Sequence, residues 1–143
     1  TVTAGEWGNY DLDADVFTPD ATSGSFTPSF TAGSTLDSVT AYADFNYIKI
    51  GNIVSITGYL NAVSTDPSTT CSFLLALPVN LQPNNDFSSF YEATAVLQQT
   101  NDFATATISA GANVSSKNIS FSLTRASDFT FDITFTLTYS IDN

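Results

Sequence analysis

FTFDITFTLTYSI, residues 129–141, alternates apolar and polar side chains without a break. Phe129, Phe131, Ile133, Phe135, Leu137, Tyr139 and Ile141 fall on one face. Thr130, Asp132, Thr134, Thr136, Thr138 and Ser140 fall on the other. Period two is the signature of a β-strand with one face on a core and the other toward water. At about 3.3 Å per residue the run is about 43 Å long. It is therefore expected to cross the whole domain and to bend or break once. The Thr row admits two readings. One is a flat ligand- or ice-binding face. The other is the ordinary preference for Thr on the solvated side of a strand. The second is preferred, because no other segment repeats a Thr row to widen the face.

Upstream, the same period recurs and helical period is hard to find. Residues 40–50 place Tyr42, Ile48 and Ile50 opposite Phe45 and Tyr47. Residues 53–62 set Val54, Ile56, Gly58 and Leu60 against Ser55, Thr57 and Tyr59. Residues 71–77 are nearly all apolar and read as a central buried strand. Residues 90–99, 103–110 and 119–125 alternate again, the last with Ile119, Phe121 and Leu123 inward. Turn chemistry separates the runs at Gly51-Asn52, at 65–68, at 82–85, at Gly111-Ala112-Asn113 and at 126–128. About 7–9 short strands at this spacing predict an all-β fold, an antiparallel β-sandwich or jelly roll. Residues 1–25 are acidic and lack a long apolar face, so they read as a short N-terminal arm that docks on the body or on a neighbouring subunit. Gly24 and Thr27-Pro28 mark the expected join, and residues 26–143 form the head domain.

Composition removes whole classes of function. The chain of 143 residues has 14 acids, three bases and no His, for a net charge of −11. The bases are Lys49, Lys117 and Arg125. Nucleic-acid binding needs clustered cations that displace condensed counterions, and three scattered ones do not supply them. Binding to an anionic bilayer fails on the same ground. No run approaches the roughly 18 apolar residues of a membrane helix. Cys71 is the only cysteine, so no intrachain disulfide forms, and its apolar neighbours predict a buried, inert thiol. Without His, triads and most proton shuttles are absent. Glu6 and Glu92 are the only glutamates, and no spacing pairs them with an Asp for glycosidic work. No catalytic set and no cofactor is expected. Asp11, Asp13 and Asp15 invite a calcium reading, but Val16 and Thr22 stand where the EF-hand loop needs Gly and Glu. The same pattern suits an exposed strand with Asp outward and Leu12 and Val16 inward, which is the preferred reading, and no metal is expected. The remaining pointers are outward aromatics. Trp7, Tyr10, Tyr59 and Tyr91 are candidates for stacking on a glycan. The competing reading packs these rings on the arm or at a subunit interface.

One stretch carries a resemblance. Tyr47-Ile-Lys49-Ile-Gly51-Asn-Ile-Val54-Ser-Ile56-Thr-Gly58 is followed by Leu77-Pro78 and by a Tyr-containing last strand, Leu137-Thr-Tyr139-Ser-Ile141. In order and spacing this resembles the C-terminal β domains of phage fibre and spike (receptor-binding) proteins, over roughly residues 26–143. The resemblance implies a virion surface protein, a β-sandwich head that forms a homotrimer and binds a host-surface glycan or protein. The arm would then contact other virion proteins. Typical fibre proteins carry a long shaft, whereas this sequence has about 25 residues before the head. A short spike or capsid decoration fits that length, and so does the excised tip of a longer fibre. Apolar residues on both faces of 40–50 suit a trimer that covers what one small domain leaves open. A secreted, non-catalytic carbohydrate-binding module is the alternative.

Overall fold

The computed structural model describes residues 8–11, 16–33, 35–64, 70–100, 107–124 and 129–142, with the backbone alone at 8–11, 16–19 and 129. The described residues form twelve strands: β1 (Gly8–Asp11), β2 (Val16–Pro19), β3 (Ala21–Phe26), β4 (Ser29–Ala32), β5 (Ser38–Ala41), β6 (Phe45–Ile50), β7 (Ile53–Ser64), β8 (Thr70–Ala76), β9 (Ala93–Gln99), β10 (Thr107–Ala112), β11 (Asn118–Thr124) and β12 (Phe129–Ser140). Single 3-10 turns cover Val79–Leu81 and Phe90–Glu92. The fold is all-β and antiparallel, as the alternation predicts. β1 and β2 pair with each other. The other ten strands make one curled sheet in the order β3-β6-β7-β12-β9-β10-β11-β8-β4, with β5 also on β7.

The curl follows from connectivity. β3 and β4 lie at opposite ends of this order, yet only Thr27 and Pro28 separate them in the chain. The three steps from Phe26 to Ser29 span at most about 10 Å, so the two ends of the sheet must lie close together. Aromatic rings fill the space between them. Phe45 on β6 touches Phe30 on β4, with centroids 5.9 Å apart. Phe30 touches Phe73, Phe73 stacks on Phe121 at 4.7 Å, Phe121 meets Phe135, and Phe135 returns to Phe45 at 5.2 Å. Five rings from five strands thus close a circuit inside the curl. Edge-to-face pairs dominate it, as the ring quadrupole favours.

β12 and β7 are the spine. β12 runs unbroken from Phe129 to Ser140 and pairs with β7 over its full length, so of the expected bend or break the break does not occur. The core face of β12 is as the alternation predicts: Phe131, Ile133, Phe135, Leu137 and Tyr139 are buried. On β7, Val54, Ile56, Leu60 and Ala62 join them. The β6–β7 turn is the expected two-residue hairpin. Ile50 pairs with Ile53, and Gly51 sits at φ 57°, a left-handed backbone that glycine adopts without steric cost. Its N–H donates to the Asp20 carbonyl at 2.8 Å.

The readings of Gly111, Gly24 and residues 71–77 change. Gly111 and Ala112 belong to β10 and are buried, so they are not a turn. The ring of Phe90 lies where a Gly111 side chain would be, and the chain turns instead around Ser115, at φ 63°. Gly24 lies in β3, with the Tyr47 ring over it, and is not a join. β3 itself, at the end of the segment read as an arm, pairs with β6 across six residues. β8 alternates too: Cys71, Phe73 and Leu75 are buried, while Ser72 and Ala76 are exposed.

Cys71 is buried, and its Sγ lies 3.2 Å from the Thr35 carbonyl and 3.3 Å from Ser64 Oγ. Tyr139 shows how the strand edges are tied down. Its buried hydroxyl donates to the Leu81 carbonyl at 2.7 Å, fixing the Val79–Leu81 turn to β12. Burial pushes this phenol well above its ordinary value of 10.0. The neutral form is the folded one. Its contribution is therefore complete below pH 10 and is lost as pH rises through the higher folded value. Tyr139→Phe is expected to cost about 1–2 kcal/mol at neutral pH, because a buried carbonyl loses its donor. The variant should also lose less stability than the parent between pH 10 and alkaline unfolding. Denaturant titrations at neutral and alkaline pH check both.

Candidate functional site

The outer face of β6, β7, β12 and β9 carries an open groove of about 470 Å³. Its floor is the Thr row of β12, widened by its neighbours. Thr136 lies between Thr57 on β7 and Val96 on β9, and Thr134 lies between Tyr59 and Gln98. No second Thr row exists in the sequence. The register nonetheless sets hydroxyl and amide side chains beside the first one. Val96, 76% exposed, and Tyr59, 38% exposed, give the groove apolar surface. Asp44 and Asn46 line it from the β5–β6 side.

A bulge opens that side. Ala41 pairs with Leu60 and Asn46 pairs with Thr57. Residues 42–45 therefore oppose only residues 58–59, and the strand bends outward there. Asp44 accepts a hydrogen bond from Thr27 Oγ1 at 2.8 Å. It also borders a second hollow of about 360 Å³ lined by Pro28, Phe30, Val39 and Ala41.

The Tyr59 ring is held. Tyr42 stacks on it at a centroid distance of 4.2 Å and an interplanar angle of 22°. The Tyr42 hydroxyl donates to Asp132 Oδ1 at 2.6 Å, and Asn61 Nδ2 donates to the same oxygen at 2.9 Å. That hydrogen bond, with lesser help from desolvation and the Asp132 charge, pushes the Tyr42 phenol up to about 12. Tyr42 is solvent-exposed, and what the shift reports is that its proton is committed to Asp132. The stability tied to it is present below pH 10 and is lost as pH rises through about 12. In Asp132→Asn the tyrosinate absorbance of Tyr42 is expected to return toward the ordinary range; Tyr42→Phe identifies its step in the titration.

Of the aromatics singled out in the sequence for stacking on a glycan, Tyr59 is the one among the described side chains that lines the groove, and Thr134 and Thr136 of the Thr row line it too. Tyr91 is 84% exposed on the Phe90–Glu92 turn, with its ring edge-on to Phe90 at 5.8 Å. Ser89 and Glu92 cap that turn reciprocally, and the Ser89 N–H donates to Glu92 Oε2 at 3.0 Å. The bonds from the Ser89 and Ser88 backbone hold the Glu92 carboxyl below its usual range. Tyr10 lies on β1 opposite Phe17. Trp7, Asp13 and Asp15 lie outside the described residues, and Asp11 ends β1. Tyr42, Asp44, Asn46, Asn61, Gln98 and Asp132 are the site residues that sequence reasoning missed. One signal was present: Asp132 is the single charge in the Thr row.

Fold and groove define an all-β protein with an open, hydroxyl-floored cleft on one sheet face and aromatic and carboxylate groups at its side. Comparison with protein-family models, with curated proteins and with solved structures finds no match.

Proposed function

We propose that this chain is a virion surface structural protein, a short spike or fibre-head domain, and that it attaches to a host-surface saccharide through the groove. The groove is the observation that carries the reading. A sugar ring offers a C–H face and a rim of hydroxyls. The held Tyr59 ring and Val96 suit the face, and Asn46, Gln98, Thr134 and Thr136 suit the rim. The spike assignment rests on the hairpin resemblance at 47–58 and the Leu77-Pro78 and Tyr139 positions. A homotrimer accords with Ile48, Ile50 and Ile53, which lie exposed around the β6–β7 hairpin. The same groove also suits a secreted carbohydrate-binding module, which would be monomeric.

Two measurements test this. Light scattering at micromolar concentration should give a trimer; a monomer with intact saccharide binding selects the module instead. On a glycan array, Tyr59→Ala is expected to weaken binding about 30-fold, the loss of a central aromatic anchor. Tyr91→Ala, outside the groove, should leave it unchanged. Binding that survives Tyr59→Ala removes the groove as the site.

A further inference from the structure

We infer that the groove selects uncharged saccharides and rejects anionic ones, such as sialylated, uronate-bearing or sulfated glycans. This rests on the saccharide reading above and adds the chemical class of ligand. The lining carries one carboxylate, Asp44, and no base among the described residues. The described bases are directed elsewhere. Lys117 Nζ donates to the Asn84 carbonyl at 2.9 Å. Lys49 alternates on β6 with Phe45 and Tyr47, on the side opposite Asn46. Recognition of a carboxylate or sulfate calls for Arg or Lys donors, ideally bidentate. An anion in this groove would instead meet Asp44 within the field of a chain of net charge −11.

The hydrogen-bonding inventory points the same way. Sugar hydroxyls both donate and accept. So do the Asn46 and Gln98 amides and the Thr136 hydroxyl, whereas Asp44 only accepts. A neutral sugar can donate to Asp44 and satisfy it. An acidic substituent is itself an acceptor and leaves two acceptors facing each other, at a cost that sets specificity.

Calorimetry on a matched pair of oligosaccharides tests this, the two differing only in a neutral or an acidic terminal residue. The neutral member is expected to bind at least about tenfold tighter. Added salt should narrow that ratio by screening the repulsion. Asp44→Asn, close to isosteric, should narrow it as well. Equal or tighter binding of the acidic member, lost in Tyr59→Ala, would overturn the selectivity while leaving the groove a saccharide site. Failure of both members, together with a blank glycan array, would overturn the saccharide reading and this inference with it.

Discussion

Phe45→Ala is expected to lower the free energy of unfolding by about 4 kcal/mol, the range for a fully buried phenylalanine that leaves a cavity. Phe45 is fully buried. It joins the two ends of the curled sheet, touching Phe26 on β3, Phe30 on β4 and Phe135 on β12, with centroids 5.2–5.9 Å apart. Three ring pairs are lost at once, each worth about 0.5–1.5 kcal/mol beyond burial. The neighbours cannot collapse into the hole, because β3 and β4 are tied to it by a two-residue link. A small domain has about 5–15 kcal/mol in total, so the variant should be marginal. Denaturant titration with an unchanged slope reads the loss as stability. Val79→Ala, at an 87% exposed site, should change stability by no more than about 0.5 kcal/mol. A Phe45→Ala cost below about 1 kcal/mol would mean that the ends of the sheet do not depend on this ring.

The parts of this fold that were legible in the sequence are those that alternate by themselves. β12, β7 and β11 present the faces their period predicts, and Gly51 makes the expected hairpin. Edge strands were not legible. β3 is exposed along nearly all its length and gives only Phe26 to the core, so it has no apolar face to read. The bulge at 42–45 was hidden for a subtler reason. It sets four residues against two, an offset of two, and an even offset keeps every side chain on its face. Residues 40–50 therefore read as one straight strand. The groove needs that bulge and the β9-β12-β7-β6 order. Tyr42 and Asp132 meet 90 residues apart, through registers that local periodicity does not specify. Tyr59 was found because it faces outward in a strongly alternating strand. Its partners belong to other strands. Gly111 was misread because a glycine beside Ala and Asn has turn chemistry, while the ring that requires it, Phe90, comes from a separate segment.

Gly58→Ala is expected to destabilise the protein by about 3 kcal/mol, at the upper end of the usual cost of overpacking a core. Backbone entropy alone predicts the opposite sign, since glycine in a strand is worse than alanine by roughly 0.5–1 kcal/mol. The contact decides. A Cβ at Gly58 would lie 2.6 Å from Phe45 Cδ1 and 2.7 Å from Phe135 Cε1. Both rings are buried and in edge contact with each other, so neither can swing away without breaking the aromatic circuit. Gly24→Ala supplies the contrast. Its Cβ would meet the Tyr47 hydroxyl at 2.9 Å, the far end of a half-buried side chain that can shift. That variant should change stability by less than about 1 kcal/mol. Combining Gly58→Ala with Phe135→Leu should recover part of the loss, because removing one ring makes room for the new methyl group; a purely additive double mutant would place the cost elsewhere. Gly58 also lines the groove beside Tyr59. If the groove is the proposed saccharide site, a Gly58→Ala protein that still folds should bind sugar more weakly, with Tyr59 displaced by the same clash that strains the core. The aromatic circuit inside the sheet and the stacking ring outside it are thus set by one residue that has no side chain.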